Sequence, residues 1–133
     1  MKNRIFDNSN TPNGWESEPA AIFEKMRSCP PLMRTEAQNA YIGKEVAWLL
    51  YFADGSIREN GEAHLIFRIT SDPVRIDMVT GRVLLADYPW LKSLKAGEAV
   101  HVRGRIRQVD SFKIEIGMLE LEQPHSRIAP SVN

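Results

Sequence analysis

The side chains of this chain best suited to chemistry are Arg58, His64, Arg68 and Arg75, with Tyr51 a short way upstream. Guanidinium and imidazole groups reach phosphates, and a groove for single-stranded nucleic acid combines such groups with aromatic faces on which bases stack. Alternation of apolar and polar residues predicts His64, Arg68 and Arg75 on the outer face of the second and third strands, with Arg58 in the preceding loop. Aromatic partners are scarce. Phe67 has the inward parity of its strand, and Trp48 and Trp90 suit core packing. Tyr51 is the remaining candidate for stacking, with core packing as its alternative.

A denser run of positive charge, Arg103, Arg105 and Arg107 with His101, lies on one face of a later strand. Glu115, Glu120 and Glu122 have the parity to answer it from the neighbouring strand, an ordinary way to solvate a sheet. Residues 98–122 carry four basic side chains (Arg103, Arg105, Arg107, Lys113) against five acidic ones (Glu98, Asp110, Glu115, Glu120, Glu122). Solvation is therefore the first reading of the stripe, and phosphate contact the second.

Catalytic and metal chemistry find little support. His64, His101 and His125 are scattered, no Cys-x-x-Cys or His-Glu-x-x-His spacing occurs, and Cys29 stands beside two prolines without a local base. Ser71 and Asp72 before Pro73 fit turn chemistry, and no Gly-x-Ser-x-Gly elbow, Walker loop or dinucleotide fingerprint is present. The expectation is a non-enzymatic protein with no catalytic residue, metal or cofactor.

The 133 residues suffice for one domain with a core. Lysine plus arginine and aspartate plus glutamate number 17 each, so any nucleic-acid binding must come from a local patch and not from bulk charge. The longest apolar run, Val46 to Ala53, is far below the roughly 20 residues that span a bilayer. With a single cysteine and no apolar export segment in MKNRIFDNSN, no membrane association and a cytoplasmic location are expected.

The elements that must position these side chains follow from periodicity. Residues 1–15 show none and read as a mobile arm. Ser17 is a plausible N-cap for a short helix ending near Ser28, stopped by Pro30 and Pro31. A second helical turn begins at Thr35 with the spacing of a capping box. Gly43 to Ala53 is a strand with Val46, Trp48, Leu50 and Phe52 on one side and Ala47, Leu49 and Tyr51 on the other. That second side is apolar enough to need a cover, either the N-terminal helix or a second chain. Ser56 to Glu59 reads as a mobile loop between Asp54-Gly55 and Asn60-Gly61. Glu62 to Thr70 follows with Ala63, Leu65, Phe67 and Ile69 inward. Val74 to Val79 is the next strand, with Val74, Ile76 and Met78 on one side, and Thr80-Gly81 a turn. Val83 to Ala86 extends the sheet, and Asp87 caps a helical turn through Tyr88 to Leu94. The strongest period-two pattern, Glu98 to Glu122, is a hairpin. Shared parity of Ile106 and Ile114 predicts an odd, three-residue connection, and a slip in parity predicts a bulge at Gly117.

Three strands, a short helix and a two-strand hairpin is the element order of the five-stranded Greek-key barrel called the OB-fold. The runs YIGKEVAWLL, LKSLKAGEAVHVRGRI and IEIGMLELE resemble the anticodon-binding type of nucleic-acid-binding OB-fold domain, in which a Gly-Lys enters the first strand and a Leu-x-x-Leu-Lys-x-Gly phrase the fourth. The resemblance implies a mainly β barrel over residues 41–122. Residues 1–40 would be an arm and short helices packed on it, and 123–133 a flexible tail. It implies a binding module whose ligand face is the outer surface of the second and third strands with the loops flanking it, and it brings no catalytic motif. Two functions remain. One is weak binding of single-stranded nucleic acid through Arg58, His64, Arg68, Arg75 and Tyr51. The other is a protein partner or homodimer seated on the apolar outer face of the first strand.

Overall fold

The structure, a computed structural model, describes residues 18–72 and 76–124. Two helices, α1 (Pro19–Ser28) and α2 (Arg34–Tyr41), precede five strands: β1 (Glu45–Ile57), β2 (Glu62–Arg68), β3 (Met78–Leu84), β4 (Ala99–Val109) and β5 (Lys113–Glu122). The strands close into a barrel in the order β1-β2-β3-β5-β4. Every neighbouring pair is antiparallel except β3 with β5. This is the OB-fold, with two 3-10 turns, Leu85–Asp87 and Pro89–Ser93, between β3 and β4 where a short helix was expected.

Alternation decides which side chains fill the barrel. In β2, Ala63, Leu65 and Phe67 are buried between half-buried Glu62, His64, Ile66 and Arg68, the period of two that a strand imposes. Val46, Trp48 and Leu50 of β1, Val79 and Val83 of β3, and Val100, Val102 and Ile106 of β4 complete the interior with Ile114 and Ile116 of β5. α1 turns Ile22, Phe23 and Met26 into the same core, and all three are fully buried. The helix therefore plugs the barrel and does not cover the outer face of β1, where Leu49 stays 44 % exposed.

Several local expectations change. α1 begins at Pro19 after Glu18, with no side-chain cap, and Ser17 lies outside the described residues. α2 begins at Arg34, one residue before Thr35, following a 3-10 turn at Pro31–Met33. No capping-box hydrogen bond forms, and Gln38 instead donates to the Val109 carbonyl at 2.9 Å. β1 runs on through Ser56 to Ile57, so only Arg58 to Gly61 forms the turn. An extra residue at Ala53, between the Phe52↔Phe67 and Asp54↔Ile66 pairs, lets the long strand bend into two ladders.

β3 starts at Met78 and continues straight through Thr80 and Gly81 to Leu84. Ile76 precedes it and is 62 % exposed, and the part of the expected strand at Val74 lies outside the described residues. Gly81 is no turn residue. A Cβ there would come within 2.6 Å of the Leu119 side chain, so glycine lets β5 pack closely over β3. Asp87 ends the first 3-10 turn, and Tyr88 occupies the cap position of the second.

Residues 110–112 form the expected three-residue connection between β4 and β5, and bulges within the strands adjust the parity of the hairpin. Ile106 pairs with Ile116, but Val109 pairs with Ile114, because Arg107 is an extra residue on β4. A second shift lies between Arg103↔Glu120 and Arg105↔Gly117, so β5 bulges where a bulge was expected. The left-handed residue there is Met118, at φ 52°, and not Gly117.

Candidate nucleic-acid interface

Register across β1, β2, β3 and β5 arranges the outward side chains of this wall in three rows. In the lowest row Tyr51 pairs with Arg68, Arg68 with Met78, and Met78 with Lys113. Their inward neighbours Leu50, Phe67, Val79 and Ile114 are buried, which fixes these four as outward. The middle row runs Asp54, Ile66, Thr80, Glu115, and the upper one Ser56, His64, Arg82. Adjacent strands stand about 4.8 Å apart, so the lowest row spans roughly 14 Å from Tyr51 to Lys113.

Arg58 reaches the upper row from the β1–β2 turn. The turn is fixed by the Arg58 N–H donating to Glu62 O at 2.8 Å and the Gly61 N–H to Arg58 O at 3.0 Å, with Gly61 at φ 88°. The Arg58 guanidinium lies 3.4 Å from His64 Nδ1, and His64 Nε2 lies 3.3 Å from Glu62 Oε1. An arginine can only donate, so Nδ1 accepts and a neutral His64 carries its proton on Nε2, directed at Glu62. That hydrogen bond, foremost, holds the Glu62 carboxyl below the usual carboxylate range, with Arg82 and Asn60 adding to it.

An open groove of about 500 Å³ lies over this wall, lined by Asp54, Arg58, His64, Thr80, Arg82 and Lys113 among others. Its size is that of a small-ligand site. Arg58 and Arg82 line its upper margin, Lys113 its lower one, and Asp54 and Glu115 its middle. An extended anion therefore has favourable paths along the upper and lower rows, and hydrogen-bond acceptors between them.

Of the residues singled out in the sequence, Arg58 and His64 come together in the upper row, and Tyr51 and Arg68 in the lower. Arg75 lies outside the described residues. Arg82 and Lys113 were missed. Arg82 was hidden because Thr80-Gly81 reads as a turn, and Lys113 because the parallel pairing of β5 with β3 leaves no local trace in the sequence.

Arg103 and Arg105 face the other side of the barrel, whereas Arg107 reaches toward Glu115 in the middle row of the wall. Arg103 Nη2 donates to Glu120 at 2.8 Å, Arg105 Nη2 to Glu45 at 2.9 Å, and Arg107 lies 3.7 Å from Glu115. Glu115 and Glu120 act as expected, whereas Arg105 takes its partner from β1. The hydrogen bond to Glu120 holds the Arg103 guanidinium still more firmly protonated. Grooves of about 330 and 540 Å³ on this side are lined by Arg103 and Glu120 among others.

Neither a protein-family model nor a curated protein sequence matches the chain. Among solved structures, it resembles a protein named as a candidate nucleic acid-binding lipoprotein of Klebsiella pneumoniae subsp. pneumoniae. The TM-score is 0.57 at 16 % identity, over 78 % of this chain and 87 % of that one. The Stn1–Ten1 complex of S. pombe matches at a TM-score of 0.40 and 19 % identity, over 71 % of this chain and 74 % of that one. At these identities the likeness concerns the fold. No helix among the described residues is long and apolar enough to cross a membrane.

Proposed function

We propose that the protein is a non-enzymatic OB-fold module that binds single-stranded nucleic acid weakly across the outer wall of β1, β2, β3 and β5. One observation carries the reading: register sets Tyr51, Arg68, Met78 and Lys113 side by side beneath a second basic row of His64 and Arg82. Arg58, His64, Arg68, Arg82, Lys113 and Arg75 take the phosphates, and Tyr51 stacks a base. A likeness in fold to a protein named for nucleic-acid binding supports the same class of ligand.

The competing reading, a protein partner on the outer face of β1, has a weaker basis. Leu49 and Met118 are 44 % and 78 % exposed on that side, but the Arg103–Glu120 pair lies between them, so the apolar surface is broken.

The test is fluorescence anisotropy with labelled single-stranded oligonucleotides across a salt series, with molar mass followed by light scattering. Binding should weaken with salt. Arg68→Ala combined with Lys113→Ala should flatten the slope of log affinity against log salt by about one to two units, leaving sequence preference unchanged. Wild-type protein with no affinity at low salt, and a mass that rises with concentration, would overturn this reading in favour of self-association.

A further inference from the structure

We infer that Phe112, at the tip of the β4–β5 turn, is a stacking platform for one unpaired base at the end of the lower row. The inference rests on the nucleic-acid reading above and adds to it a contact outside the second and third strands.

A single exposed apolar residue needs no explanation by itself. What distinguishes Phe112, 44 % exposed, is how firmly the turn holds it. Its N–H donates to Asp110 Oδ1 at 2.9 Å, and the N–H of Lys113 donates to the same oxygen at 2.8 Å. Its carbonyl accepts the Met78 N–H at 2.9 Å, and the carbonyl of Ser111 accepts from Arg27 Nη1 at 2.9 Å. Both backbone groups of a hairpin-tip residue are thus fixed to β3 and to the turn itself, where tips are ordinarily the loosest part of a hairpin.

The ring is held as well. The Arg27 guanidinium, reaching over from α1, lies 5.3 Å from the Phe112 centroid and 5.9 Å from that of Phe23. The attraction of a cation to an aromatic face fixes the ring against the helix while nearly half of the residue remains in water. A rigid aromatic surface presented to solvent loses little conformational entropy when a flat ligand settles on it, which is what stacking requires. The next residue, Lys113, ends the row that begins at Tyr51. A base on Phe112 has its own phosphate beside Lys113, and the strand continues over Met78 and Arg68 to Tyr51. The row is then bracketed by an aromatic at each end, with cations between.

The test compares wild type, Phe112→Ala, Phe112→Leu and Phe112→Trp for affinity to a labelled single-stranded DNA, each across the salt series and each checked by thermal unfolding. Phe112→Ala should weaken binding about 5- to 150-fold with the salt slope intact, since stacking releases no counterion. Phe112→Trp should bind at least as tightly as wild type, and Phe112→Leu should resemble Phe112→Ala. Leucine binding as well as phenylalanine would overturn the platform, because an apolar spacer without a π-face would then suffice. So would unchanged affinity in Phe112→Ala while Arg68→Ala with Lys113→Ala still flattens the slope; that result removes the platform and leaves the wall as the binding face. Absence of binding by the wild type at low salt removes both.

Discussion

The Arg27 guanidinium stands 2.7 Å from the carboxylate of Asp77, which is 2 % exposed at the entrance to β3. The pair joins α1 to the barrel, and the same guanidinium reaches the β4–β5 turn. Arg27→Met leaves a buried carboxylate without its cation. Because Arg27 itself is about one-third exposed, the cost should fall below that of a fully buried pair, at about 2 kcal/mol in urea melts. No loss of stability would mean that the other contacts of Asp77 satisfy its charge.

Met118 and Gly104 form the second relationship open to mutation. A Cβ on Gly104 would meet the Gly117 carbonyl oxygen at 2.6 Å and the Ile116 side chain at 2.5 Å, so the bulge of β5 needs a bare backbone opposite it. Gly104→Ala should cost at least about 2 kcal/mol. Met118→Gly should gain about 0.5–1 kcal/mol by relieving φ 52°, in chemical denaturation. Gly117→Val should bring no left-handed strain, since Gly117 is not at positive φ and a Cβ there meets only ordinary contacts at 3.6–3.9 Å.

Glu62 gives a test by pH. Its carboxyl pKa is lowered, first by the hydrogen bond from His64. A group whose folded pKa is depressed adds stability above its unfolded pKa and loses that contribution as pH falls through the folded value. In an NMR titration the Glu62 carboxyl should have a midpoint below that of an ordinary glutamate, and His64→Ala should move it up. An unchanged midpoint in the variant would assign the shift to Arg82 and Asn60.

The arginine stripe is the internal control for nucleic-acid binding. Arg103→Ala and Arg105→Ala together remove two exposed pairs, each worth a few tenths to about 1 kcal/mol. Arg107 stays in place because its partner Glu115 lines the groove. This variant should lose modest stability and keep both its affinity for single strands and its salt slope. A slope flattened as much as by Arg68→Ala with Lys113→Ala would move the binding face to the other side of the barrel.

What could be read from the sequence was whatever period two enforces locally. The inward set of β2 and the apolar face of β4 followed from alternation alone, because one face is buried and a slip would turn it outward. The failures share a cause. Thr80-Gly81 resembles a turn, yet Gly81 answers to Leu119, remote in sequence, and misreading it displaced β3 and concealed Arg82. Phe112 carried no periodic signal because its importance comes from Asp110, Met78 and Arg27, brought together only by closure of the barrel. His64 and Arg68 were legible as outward positions, Arg58 as a loop residue and Tyr51 as a stacking candidate, but their grouping into two rows needed the register.

The parallel ladder between β3 and β5 joins Met78–Gly81 to Lys113–Ile116 through four paired positions, fewer than any other seam of the barrel. The hairpins on either side zip between near neighbours, whereas this seam must wait for a long stretch of chain to be drawn together. The β1–β4 ladder joins residues farther apart still, but through seven paired positions, so the four-position β3–β5 seam is expected to part first in the slow breathing of the native state. A polynucleotide lying along the lower row would straddle it from Met78 to Lys113 and serve as a clasp. Hydrogen exchange of the seam amides is expected to slow on adding single-stranded DNA, while amides of the β1–β4 ladder across the barrel keep their rates; equal slowing of both ladders would show the ligand stabilising the whole barrel without favouring the seam.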